Sequence, residues 1–359
     1  MFDTESLKKI TFIFAFTLWG LFLLAQKQAI KKDSYQAIIK YVFQTEGKVY
    51  SSPIATQDTI IVIGSNDKCI YFLSAKGKLK AKYKTEGKIH ASPSIIGKGF
   101  ITCGSYDNHF YVFKPDLSLH QKRSEESGIF TTTVDVAKDT FMYAVGKVIK
   151  FINNFDTIVH EIKLEKLTHA SPTQMRDGTI VIGSNDKYVY FLNRDGTIKA
   201  KYKTGSWIMH SAPLELPDGT IVVGSYDKKL YFLNPDGSLR NTFKCDGRIH
   251  ANPLLLNDTT IVVSSFDKHI YFISTDGKLM NKVETNGLVF SSPAKYNDEI
   301  IVCGSYDKHL YFIDLHGNIV EKVKLNGKIF SSPLVLPDKT VVVGCNDYNV
   351  YFIKLEDNL

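Results

Sequence analysis

The sequence predicts an all-β chain folded as a closed ring of eight four-stranded units. The first observation behind this is an Asp that recurs between two apolar runs, at Asp67, Asp107, Asp186, Asp227, Asp267, Asp307 and Asp347. The intervals between these residues are 40, 79, 41, 40, 40 and 40. The second is that each interval holds short strands bounded by turn dipeptides, with no stretch of helical period. The third is that the array opens on the end of a unit and closes before the end of another, so its two ends complement each other.

The double interval hides a worn copy, AVGKVIKFI, in which Phe151 stands where the other units carry Tyr. A second marker agrees, because Pro53, Pro93, Pro172, Pro213, Pro253, Pro293 and Pro333 keep the same register and Thr133 fills the missing slot. Eight copies of about 40 residues fall in the range of solenoids and propellers. With 44% hydrophobic and 23% charged residues, the chain has material for a large core. The array runs unbroken, so residues 36–359 read as one domain and residues 1–35 as an N-terminal segment with a linker.

Taken in order, the first landmark is the apolar run from Ile10 to Ala25, with Lys8 and Lys9 before it and Lys27, Lys31 and Lys32 after it. As a helix it would rise about 24 Å, against a bilayer core of about 30 Å. The run therefore reads as an uncleaved membrane anchor, with a cleaved signal and a buried helix as alternatives. Leu23 at the −3 position from Ala25 disfavours cleavage, and no Cys follows to accept a lipid. Lysine density after the run argues for a cytoplasmic ring, while a short basic start leading into an apolar run argues for export. The expectation adopted is a single-pass anchor with an extracytoplasmic ring, periplasmic if the source is bacterial.

Ala37–Thr45, AIIKYVFQT, matches the last strand of a unit, as comparison with Lys78–Lys84 shows. Each full unit then reads as a strand with the Ser-Ser-Pro signature, an apolar run such as Thr59–Ser65, an Asn-Asp or Tyr-Asp turn, a third strand such as CIYFLS, a turn such as Asp195-Gly196, and a lysine-rich last strand. The second strand is apolar on both faces and must be sandwiched. The fourth carries lysines on one face, as an outer edge exposed to stray strands needs. A linear stack would need polar caps. Instead AIIKYVFQT supplies the strand that the last unit lacks, which selects an eight-bladed β-propeller closed by an N-terminal strand in its last blade.

Gly-Ser-x-Asp, an aromatic strand, Asp-Gly and a Gly-led link to Ser-Pro together resemble the pyrroloquinoline-quinone-type propeller repeat. That repeat is found in quinoprotein dehydrogenases and in the lipoprotein of the bacterial outer-membrane β-barrel assembly machine. The resemblance implies the fold across about nine tenths of the chain and leaves function open. Two departures stand out. The Trp that usually docks blades is replaced by Ala81, Ala200, Asn241, Asn281 and Glu321, so docking falls to residues such as Tyr83, Tyr202 and Phe243. The dehydrogenases also set an adjacent Cys pair against their quinone, and no two of the five cysteines here adjoin. No cofactor is expected.

The repeated Asp reads as turn chemistry, since Asp bonds its own backbone, and the Lys that follows at Lys68, Lys187, Lys228, Lys268 and Lys308 would oppose a cation. Ahead of the Ser-Pro signature, eight equivalent inner positions hold Tyr50, His90, Phe130, His169, His210, His250, Phe290 and Phe330. Packing between blades accounts for Phe and Tyr in this slot. The four histidines His90, His169, His210 and His250 are nonetheless a candidate ligand ring near the channel. His109, His269 and His309 read as surface residues. No catalytic constellation stands out. The five cysteines read as free buried thiols, Cys103 and Cys303 lying on blades too far apart to pair.

A net charge of +7 is spread around the circumference by the repeat, which argues against nucleic acid. The function expected is a non-catalytic, membrane-tethered scaffold that binds protein partners on one rim, with the propeller monomeric. A quinone-dependent oxidoreductase and a small-ligand or metal sensor using the histidine ring are the alternatives. The worn third unit, Thr131 to Leu164, is the expected partner site, because relaxation of the rules in one unit of an array marks function.

Overall fold

The computed structural model describes residues 35–357, and no helix occurs among them. The apolar run Ile10–Ala25 lies outside the described residues. Among those described, no helix is long and apolar enough to cross a membrane. The strands form eight four-stranded antiparallel sheets. Blade 1 consists of Ile54–Ala55, Ile61–Gly64, Cys69–Leu73 and Leu79–Lys84 in up-and-down order, and blades 2 to 7 repeat the pattern. Blade 8 combines Leu334–Val335, Val341–Gly344 and Asn349–Asp357 with Tyr35–Gln44. The latter runs antiparallel to Asn349–Asp357, from Tyr35 opposite Asp357 to Gln44 opposite Asn349, with a register shift between Ile39 and Tyr41.

The innermost strand differs from its expected extent. The Ser-Pro signature itself is outside the regular ladder, because Pro53 has no N–H to offer and only Ile54–Ala55 pair within the blade. The link just ahead of it instead bridges blades. In the link between blades 1 and 2, the Ile89 N–H donates to Ser65 O at 3.1 Å and Lys88 O accepts from Tyr106 N–H at 3.0 Å.

The core lies between blades. Eight apolar clusters are found, each built from two neighbouring blades. One of them joins Val350 and Phe352 of blade 8 to Ile61 and Tyr71 of blade 1. A linear stack of eight units would leave one such face bare, so eight interfaces for eight blades define a ring. Close approach is built in at Gly64, where a Cβ would lie 2.1 Å from Ile89 Cγ2 of the following link.

Outer-strand docking uses aromatic residues two positions beyond the usual Trp, together with some of the residues that replace it. Tyr83 of blade 1 packs edge-on against Phe113 of blade 2 with ring centroids 5.4 Å apart, and Phe243 meets Tyr271 at 5.8 Å. Asn241 Nδ2 donates to Asp276 O of the next blade's turn at 2.8 Å, and Asn281 makes the same bond to His316 O. Ala200 leaves room for the turn at Gly237, whose φ is 84°.

Candidate functional site: the central channel and the third blade

The repeated Asp is a clasp between blades. In blade 1, Asp67 Oδ1 accepts from Cys69 N–H at 2.9 Å, while Oδ2 accepts from Glu46 N–H of the incoming link and from Tyr71 O–H, each at 2.8 Å. Asp107, Asp186, Asp227, Asp267, Asp307 and Asp347 hold the equivalent Tyr hydroxyls. The turn reading was right about the backbone bond and missed the phenol, although Asp and Tyr stand four residues apart in each of these units. The left-handed position belongs to the following residue, Lys68 at φ 73° and its counterparts, and not to the Asp. His109, His269 and His309 join the same turn. Each is only about one-fifth exposed, and the Nδ1 atoms lie 2.9–3.1 Å from the carbonyls of Asp107, Asp267 and Asp307. These three are turn residues and not free surface ones.

Blade 3 has lost both halves of the clasp, with Gly146-Lys147 in the shortened turn and Phe151 in the Tyr position. Here the carboxylate comes from the link. Glu125, which follows the outer strand of blade 2, has a fully buried side chain. Its Oε2 pairs with Lys150 Nζ at 2.7 Å, and its Oε1 accepts from Arg123 Nε at 3.0 Å and from Tyr143 O–H. Burial and the Glu125 charge push the Tyr143 phenol well above its ordinary range. One other feature sets the blade apart, in that Asn154 and Phe155 both take positive φ in its outer turn. Ile158 and Val159 are exposed on its outer strand, as Leu279 and Met280 are on that of blade 6.

Around the axis, alternate residues of the inner segments form layers. The first layer contains the expected ring, and its members pack against one another instead of lining an open bore. Tyr50 stacks on His90 at 5.0 Å, His90 lies 5.3 Å from Phe330 and 6.2 Å from His210, and His210 and His250 are 4.6 Å apart. His169 bridges Phe130 at 4.6 Å and His210 at 5.7 Å. The four histidines are thus one cluster, including His90, which the sequence sets apart from the others.

His210 is not the equivalent of the rest. Ile208 occupies the Ile89 position, against Gly183, and Ser211 Oγ occupies the Ser51 position, accepting from Gly224 N–H at 3.2 Å. One extra residue lies between them, and His210 takes it up with a φ of 63°. The interval of 41 between Asp186 and Asp227 is the trace of this insertion. Burial drives the cluster toward neutrality. It lowers His90 to about 4, aided by His169, and His250 to about 3, aided by His90, and it lowers His169 and His210 as well. Among the described residues, no group of His, Cys, Asp or Glu has the arrangement of a metal site.

The second layer is a hydroxyl ring. The amides of Ala212, Asn252, Ser292, Ser332 and Ser52 donate in turn to Asn252 Oδ1 (2.7 Å), Ser292 Oγ (2.9 Å), Ser332 Oγ (2.9 Å), Ser52 Oγ (2.9 Å) and Ser92 Oγ (3.0 Å). This chain of bonds spans the junction between blades 8 and 1. A cavity of about 270 Å³ lies between the two layers, and no Asp, Glu, Lys or Arg lines it. All five cysteines are free and buried, with burial raising Cys103 and Cys345 to about 12 and Cys303 to about 11.

Fold and channel together define an eight-bladed β-propeller of four-stranded blades. No family model and no curated protein matches the sequence. Among solved structures, the chain is similar to BamB from Moraxella catarrhalis, at 14% identity and a TM-score of 0.75, over 89% of this chain and 98% of that one. It is also similar to the computationally designed Ika8 protein, at 15% identity and a TM-score of 0.72, over 86% and 98%. At these identities the likeness is one of fold, and it agrees with the propeller expected from the repeat.

Proposed function

We propose that the protein is a non-catalytic propeller, tethered to a membrane through residues 10–25 and facing the extracytoplasmic side, that presents one rim to a protein partner in envelope assembly. In this reading the propeller is a monomer closed by the Tyr35–Gln44 strand, and the third blade forms part of the docking surface. The observation that carries the reading is that blade 3 alone has exchanged the Asp–Tyr clasp for a buried Glu125 network. This frees its turns from the sequence rules that the other seven blades obey. Exposed Ile158 and Val159 on its outer strand give a partner apolar surface to cover. The likeness to BamB supports the fold in which such a platform is built.

The test exchanges the turns of blade 3 for those of blade 5 in the tethered protein and follows neighbours by proximity labelling. Loss of a labelled partner supports the proposal, and an unchanged set of partners overturns it. The oxidoreductase alternative requires a bound chromophore, which an absorption spectrum of the purified protein would reveal.

A further inference from the structure

The cavity between the aromatic layer and the hydroxyl ring has a composition that packing alone does not explain. The Ser52, Ser92, Ser292 and Ser332 oxygens accept inter-blade amides, yet among the described residues their protons meet no protein acceptor. The Asn252 carboxamide likewise uses Oδ1 and leaves Nδ2 over. These groups, with the ring nitrogens of His90 and His210, give the cavity donors and acceptors interspersed around one axis.

Charge narrows the ligand. No charged side chain lines the cavity, so an ion placed there would lose hydration without gaining a counter-charge. The hairpins at the hydroxyl end mix both signs, with Asp177, Asp218 and Asp298 paired to Lys199, Arg240 and Lys295, and so give neither ion a net attraction on its way in. A cation would find no carboxylate inside. Tyr50, Phe290 and Phe330 close the inner end of the cavity with aromatic surface, Phe330 standing edge-on to Tyr50 and stacked on Phe290, and this apolar end suits the C–H groups of a ring whose edge bears hydroxyl groups.

We infer that this end of the channel binds a small uncharged polyhydroxylated ligand, a free monosaccharide or the terminal sugar of a glycan. The sugar's C–H groups meet the aromatic end, and its vicinal hydroxyls exchange hydrogen bonds with the serine ring and Asn252. The inference is independent of the third-blade reading, since the site lies on the axis and not on blade 3's outer turns.

Saturation-transfer NMR on the full chain in detergent tests it, with glucose, galactose and N-acetylglucosamine as probes and inorganic phosphate and Zn²⁺ as ionic comparisons. At least one sugar should give one-to-one binding in the millimolar range, as expected for so few contacts. Ala212→Leu and Thr132→Leu fill the cavity without removing a hydrogen bond from the serine ring. Each should reduce sugar affinity about ten-fold or more while leaving the thermal midpoint near that of the parent, by closing space worth roughly one bound ring face. Silence from all three sugars, binding that survives both variants, or preferential binding of phosphate or Zn²⁺ would overturn the inference. The two sources separate in a further arm, because a free monosaccharide competes with a reducing-end-tethered glycan for the same site only if the terminal sugar is what is held.

Discussion

Asp67 joins three groups from two blades, and the same carboxylate recurs in all units but one. Removing it should therefore cost more than removing its phenol partner. Asp67→Ala leaves two amides and a hydroxyl unpaired and is expected to lower stability by about 2–3 kcal/mol, whereas Tyr71→Phe should cost about 1 kcal/mol. In blade 3 the logic is reversed. Glu125→Gln leaves Lys150 with a neutral amide and the more distant Glu161 carboxylate at 3.7 Å, and is expected to cost about 3 kcal/mol, the lower end for breaking one side of a buried pair. Phe151→Tyr should bring no gain, because no Asp waits there for its hydroxyl. Denaturant unfolding of the four variants checks the ranking. A Glu125→Gln variant as stable as the parent would refute the substitute-clasp account.

The Tyr35–Gln44 strand belongs to the scale of the element. It occupies the outer place of blade 8, and Phe43 meets Tyr71 of blade 1 at 5.2 Å, as Tyr83 meets Tyr111 at 5.5 Å one blade on. The following residue is seated as in any internal link. Thr45 N–H donates to Tyr348 O at 2.7 Å, just as Thr85 N–H donates to Lys68 O at 2.7 Å. Deleting residues 1–44 would expose the edge of Asn349–Asp357, a ready template for another chain. The truncated protein is expected to unfold at a lower temperature and to self-associate. A synthetic peptide of residues 35–44, added in trans, should restore the midpoint in part. A truncated protein with the parent's midpoint and sedimentation behaviour would mean that the serine ring and blade cores close the circle unaided.

For the molecule as a whole, the axis is where charge matters most. The four imidazoles are held neutral by burial, with His90 at about 4 and His250 at about 3, below the ordinary value of about 6.5. Between these limits the unfolded chain binds protons that the folded chain refuses, so stability rises with pH there. It is complete above about pH 6.5 and is lost progressively as pH falls toward the folded values. The depressed carboxylates of Asp107 and Asp307 act in the same direction, but only at lower pH. The thermal midpoint should accordingly drop between pH 7 and pH 5. His90→Phe and His250→Phe, which copy the aromatic neighbours of the layer, should flatten that slope. An equal slope in parent and variants would place the titrating groups elsewhere.

The blades, their order and most turns were legible because a period of 40 writes each strand and its boundaries several times over, so one unit's ambiguity is resolved by another. The Asp–Tyr clasp is written in the same way, as a fixed spacing of four, but the turn reading already accounted for the Asp and so passed over the phenol. Single-copy features were not. Glu125 falls in a link where other units have Thr, Leu or Cys, and nothing local marks it as the partner of Tyr143 and Lys150. His210 looks like its repeat partners until the extra residue is placed. Sequence alone determined the all-β class and the count of eight, since local pattern and repetition encode these. Only the tertiary structure decided that the four histidines form one neutral cluster across the axis, because that depends on rings from non-adjacent blades converging at a distance the chain does not encode locally.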